Sequence, residues 1–151
     1  GLGDNIQENK NNILQKIENK DAYQKLIQLV ENQGGDISYI ENTEKFPKAK
    51  FKIPVISDKD GFVESLNARK VGEISGALGA GRLRKEDEID QSVGVMLCKK
   101  ISDRVEVGET LAYVYANNEE LGNKASKNLK ETYKIANNVV PKPKMILDIV
   151  K

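Results

Sequence analysis

The sequence predicts an α+β protein, with an N-terminal helical segment followed by a mixed, largely antiparallel β-rich domain that carries two further helices. Three observations carry this prediction. Apolar residues recur at three- and four-residue spacing as far as Gln33, the period changes to two from Phe51, and Val93–Cys98 and Thr110–Ala116 are apolar enough on both faces to read as buried strands. The 151 residues suit a chain able to bury a real core. The implied boundaries are a helical segment over 1–35, a linker over 36–50 and a β-rich α/β domain over 51–151.

Residues 4–33 read as two successive helices, with Ile6, Ile13, Leu14 and Ile17 on the first and Ala22, Leu26, Ile27 and Val30 on the second. Asp4 with Gln7, and Asp21 with Gln24, have the spacing of reciprocal N-terminal caps. Gly34-Gly35 stops the second helix. Phe51, Ile53 and Val55 then alternate with polar neighbours, Pro54 marks an edge strand, and Asp60-Gly61 supplies a turn into a partner strand, Phe62–Leu66. Asn67 caps a helix through Leu78, in which Gly72 and Gly76 are expected to admit another backbone. Val105 and Val107 are expected to point inward, with Gly108 turning the chain between the two apolar strands. Asn117 with Glu120 opens a helix to about Ala136, and Pro141 and Pro143 separate it from a final strand, Met145–Val150.

Composition removes much chemistry. There is no histidine and a single cysteine, Cys98, so a histidine-based zinc site, a Ser-His-Asp or Cys-His pair and an internal disulfide are all excluded. Hydrophobic residues make up 38% and charged ones 31%, no apolar run approaches the length of a membrane span, and a reducing, cytoplasmic setting is expected. Charge is even along the chain, seven basic against eight acidic residues over 1–50 and seventeen against fifteen over 51–151, which argues against a nucleic-acid partner. The first residue, Gly1, is not Met, and processing, a tag scar or a piece of something longer would each account for it.

Gly76-Ala-Leu-Gly79-Ala-Gly81-Arg82 invites a phosphate-loop reading, but Arg82 stands where the lysine and Leu83 where the hydroxyl would be needed. A structural helix-to-turn junction is preferred. Arg82, Arg84 and Lys85 beside Glu86, Asp87, Glu88 and Asp90 lack the spacing of a calcium loop and read as a solvated turn with mutual charge pairing; no metal site is assigned. Cys98, in a strand apolar on both sides, is read as a packed small hydrophobe.

Lys99–Leu111 resembles half of a lipoyl or biotinyl carrier domain, which implies a barrel-sandwich, α/β-hammerhead-like core, but the exposed hairpin lysine that such carriers modify is missing. Gln33-Gly-Gly-Asp36, Leu78-Gly-Ala-Gly-Arg82 with Lys85-Glu-Asp87 and Ile89-Asp90, and Val93–Lys100 with Asp103–Glu109 together resemble, in order and spacing, the C-terminal part of the pyrimidine-nucleoside and thymidine phosphorylases. That family commonly has histidine where Cys98 stands here. The resemblance implies a homodimeric parent enzyme that cleaves a pyrimidine nucleoside with phosphate, without a redox cofactor. Its substrate-binding groups would lie in an N-terminal catalytic portion of the same polypeptide, so no catalytic residue is assigned here. Arg82, Lys85, Asp87 and Asp90 are candidates for a lobe or subunit contact, and Gly34, Gly35, Gly79, Gly81 and Gly108 for structural turns. The competing expectation is a stand-alone barrel-sandwich binding or carrier-like module.

Overall fold

A computed structural model describes residues 5–82 and 84–148. The chain divides into two compact units, Gly1–Phe46 and Pro47–Lys151. In the first, α1 (Ile6–Glu18) and α2 (Asp21–Asn32) are followed by a one-turn helix, α3 (Ser38–Glu41), and a 3₁₀ turn over Thr43–Lys45, so the expected linker over 36–50 is partly helical. Asn42 drives this change, because its side chain accepts from the Glu44 amide and opens the 3₁₀ turn. The caps also differ from expectation. Asn5 accepts from the Gln7 and Glu8 amides at the start of α1, while Asp4 lies outside the described residues. Asp21 is already inside α2, its carboxylate held by Lys16 at 2.6 Å and Asn19 at 3.0 Å, and the residue before it, Lys20, is left-handed with φ 66°.

The second unit contains two three-stranded antiparallel sheets. β1 (Phe51–Ile56), β5 (Thr110–Ala116) and β3 (Gly94–Leu97) form one in the order β1-β5-β3, and β4 (Arg104–Val105), β2 (Gly61–Leu66) and β6 (Tyr133–Ala136) form the other in the order β4-β2-β6. No closed barrel joins them among the described residues. β1 and β2, expected as partners across Asp60-Gly61, belong to different sheets: Phe51–Ile56 pairs with Ala116–Thr110, and Phe62 faces Ala136. The turn redirects the chain instead, with the Asp60 carboxylate accepting from the Val107 amide at 2.7 Å. Pro54 does sit on an edge strand.

The helix α4 (Ala68–Ser75) starts at Asn67, whose side chain accepts from the Lys70 amide. It yields at Gly76–Ala80 to a wide turn in which Gly79 has φ 104°, which is why it stops short of Leu78. Gly72 admits no neighbour, since a Cβ there would meet open space. The helix α5 (Glu119–Lys130) is capped by Asn118, one residue later than expected, and ends well before Ala136. Thr132 closes it by donating its hydroxyl to the Leu129 carbonyl at 2.7 Å, and the chain then turns directly into β6.

One core joins both sheets to α5, through Val55, Val63, Val105, Leu111, Ala112, Val114, Ala116, Ala125, Leu129 and Tyr133. The apolar character of β5 is used on both faces, since Leu111 and Ala112 are both buried. β3 is different: its Met96 is exposed, as is Cys98 just after the strand, so Cys98 is not a core residue. Val107 is likewise exposed, on a turn tip, while Val105 is fully buried. The final strand expected over Met145–Val150 does not form through Asp148; Met145, Ile146 and Leu147 are exposed, and residues 149–151 lie outside the described residues. Among the described residues no helix is long and apolar enough to cross a membrane.

Tyr133 ties the sheets together, its hydroxyl lying 3.0 Å from the Leu111 carbonyl oxygen and 3.1 Å from that of Lys99. Burial, with added repulsion from Cys98 and Asp103, pushes its pKa up to about 12 from 10.0. The folded state therefore holds this proton where the unfolded chain has lost it, and stability falls as pH rises from 10 to about 12. Thermal melts across that window should show a steeper alkaline loss for the wild type than for Tyr133→Phe.

Candidate functional site

The loop that follows α4 was the sequence's main candidate for a contact surface. Its neck is closed by the Asp90 amide donating to the Gly79 carbonyl at 3.0 Å. Gly79 is needed there for its backbone, not for space: φ is +104°, while an added Cβ would make only ordinary contacts at 3.8 Å with Asp90 and Val93.

Asp90 is the hub. One carboxylate oxygen accepts from the Ser92 amide at 2.9 Å and the Ser92 hydroxyl at 2.6 Å, and the other accepts from the Asn117 side-chain amide at 2.7 Å. Asn117 Nδ2 also lies 2.9 Å from Ser92 Oγ, and Asn117 Oδ1 accepts from the Lys50 amide at 2.9 Å. Three distant pieces of chain are fastened together: the loop, the end of β5 and the residue that leads into β1. The Ser92 hydroxyl and amide, then Asn117, hold the Asp90 carboxyl below the usual carboxylate range. Its contribution is present above that range and is lost as pH falls through the lowered value. Asn117→Ala removes links to both Asp90 and Lys50, and we expect amide exchange in residues 84–92 to quicken by roughly tenfold with the core amides unchanged, an opening cost of about 1–2 kcal/mol.

Of the four candidate contact residues, the structure brings only Asp90 into this network. Asp87 shapes the loop itself, accepting from the Arg84 amide at 2.8 Å. Arg82 and Lys85 are exposed. The cavity beside the glycines, about 340 Å³, is lined by Gly76, Gly79, Gly81, Asp87 and Glu88 among others, so it presents carboxylates where a phosphate would need donors. That geometry favours the helix-to-turn junction over an anion site. Among the remaining candidate glycines, Gly34 (φ 73°) and Gly108 (φ 87°) occupy left-handed positions, and a Cβ on Gly35 would stand 2.7 Å from Val30 Cγ1. Gly81 is extended, with φ −148°. Ser92 and Asn117 were not identified as loop anchors from the sequence, although the doubled Asn117-Asn118 was a usable signal: one asparagine suffices for the cap and leaves the other to bond elsewhere.

Residues 62–136, which span β2 to β6, match the family described as pyrimidine nucleoside phosphorylase C-terminal domain. Two pyrimidine-nucleoside phosphorylases of Staphylococcus aureus, from strains bovine RF122 / ET3-1 and USA300, are each 38% identical to this chain over 138 residues. The chain carries the C-terminal domain of the pyrimidine-nucleoside phosphorylase family. The matched segments cover 91% of this chain and 31% of each phosphorylase, so the chain spans under a third of the length of these relatives. Asp90, Ser92 and Asn117, and every core residue except Val55 of β1, lie inside the region described as the phosphorylase C-terminal domain.

Proposed function

We propose that this chain is the C-terminal scaffold portion of a pyrimidine-nucleoside phosphorylase, a pentosyltransferase that converts a pyrimidine nucleoside and phosphate into free base and pentose 1-phosphate. The observation that carries the reading is the likeness running through 91% of this chain while covering only 31% of the enzymes it resembles. Phosphorolysis requires phosphate and nucleoside to meet in line with water excluded, which a two-lobed enzyme achieves by closing one lobe on another. A stiff two-sheet core with an anchored loop suits the mechanical side of that work. The groups that bind phosphate and base would lie on the N-terminal catalytic portion of the polypeptide, in a cytoplasmic homodimer that needs phosphate as co-substrate and no other cofactor. Arg82 and Lys85, exposed on the loop that Asp90 anchors, are what this portion would offer to a neighbouring lobe or subunit.

The test is direct. The purified 151-residue chain, incubated with phosphate and either uridine or thymidine, should release no free base above a protein-free control. Measurable phosphorolysis by the chain alone would overturn the division of labour proposed here.

A further inference from the structure

The α1–α2 hairpin carries an apolar face that its own unit leaves uncovered. None of the described residues 5–46 is buried. Ile13, Ile17, Leu26 and Leu29 are exposed by 62%, 60%, 46% and 52%, although their spacing is that of core-facing helix positions. Helices of 13 and 12 residues are marginal alone in water and draw most of their stability from covering such a face. Charge offers no alternative role, because residues 5–32 carry four basic and four acidic side chains, a balance that suits neither a polyanion nor an anionic lipid surface.

We propose that this face docks on the part of the phosphorylase polypeptide that this chain does not span. The inference rests on the function proposed above. Two findings select that occupant. The C-terminal-domain match begins at residue 62, beyond the first unit, whereas the match to whole phosphorylases takes in 91% of the chain and therefore most of that unit. At least α2 and the end of α1 thus have a counterpart in the relatives, ahead of the stretch that matches the C-terminal-domain family. In those enzymes more than two thirds of the polypeptide remains to supply the covering surface.

The experiment compares Ile17→Ser/Leu26→Ser with the unsubstituted protein in two settings: the 151-residue chain, and a chimera in which this chain replaces the matched segment of the S. aureus RF122 enzyme. In the chain alone the thermal midpoint should move by less than about 2 °C, because both residues are already exposed. In the chimera it should fall by about 5 °C or more. Equal midpoints for the two chimeras, or an equal fall in both settings, would overturn the docking while an active unsubstituted chimera left the proposed function standing. An unsubstituted chimera that folds but fails to release base from uridine with phosphate would bring down both. If the isolated chain sediments as a dimer that the double substitution dissociates, a second copy is the occupant and the proposal is wrong.

Discussion

Replacing Gly61 with alanine should lower the thermal midpoint of the chain by on the order of 10 °C, a loss of about 3 kcal/mol. Gly61 opens β2 with φ 147°, a conformation that costs an L side chain about 1–3 kcal/mol. The space is also taken. An added Cβ would overlap the Ala136 carbonyl oxygen and stand 2.9 Å from Ile135 Cγ2, and the carbonyl is backbone that cannot swing aside without disturbing the β2–β6 pairing. The same substitution at Gly72, in the interior of α4 with nothing within 4 Å, should instead raise stability by up to about 1 kcal/mol. Differential scanning calorimetry on the two variants separates a conformational requirement from a general intolerance of alanine; a harmless Gly61→Ala would refute the reading of this corner.

Leu129→Ala should cost about 2–5 kcal/mol in denaturant titration. Leu129 is fully buried where α5 meets both sheets, and the groups around it, including Ala125 and Tyr133, are fixed by backbone pairing and by the hydroxyl of Tyr133. They cannot collapse into the vacated volume. Leu129→Met, which nearly conserves volume, should cost less than about 1.5 kcal/mol and guards against attributing the loss to the helix end. A cost below about 1 kcal/mol for Leu129→Ala would mean that the core relaxes far more than its connections allow.

Much of this architecture was legible because local signals and tertiary use agree. Asn67 both starts α4 by its position and accepts from the Lys70 amide, and Pro54 both lacks a donor and lies on an outer strand. Where they part, the sequence misleads. Leu121, Ala125, Leu129 and Ala136 keep helical spacing, so β6 was hidden in what read as a longer helix; the end is set by Thr132 folding back on Leu129, a bond no periodicity reveals. Asn117 has the right spacing for a cap, but its side chain is spent on Asp90, Ser92 and Lys50, and Asn118 takes the cap. β1 and β2 read as partners because they are neighbours in the chain, whereas each pairs with a sequence-distant strand, β5 and β6. The site was legible as a place, through Gly79 and Asp90, and not as a network, because hydrogen bonds across 25 or more residues leave no local pattern. Met96 and Cys98 look like core by type, yet β3 turns Met96 outward and ends before Cys98, which is exposed too.

Pro54 has a bearing on how this protein behaves in crowded solution. An outer strand normally offers a row of donors and acceptors that a stray extended peptide can zip onto, the first step toward fibrils. At position 54 the donor does not exist, and the carbonyl already receives the Ser126 hydroxyl from α5 at 3.3 Å. That border of the sheet is thereby denied a continuous template, and concentrated samples have one route fewer to insoluble polymer.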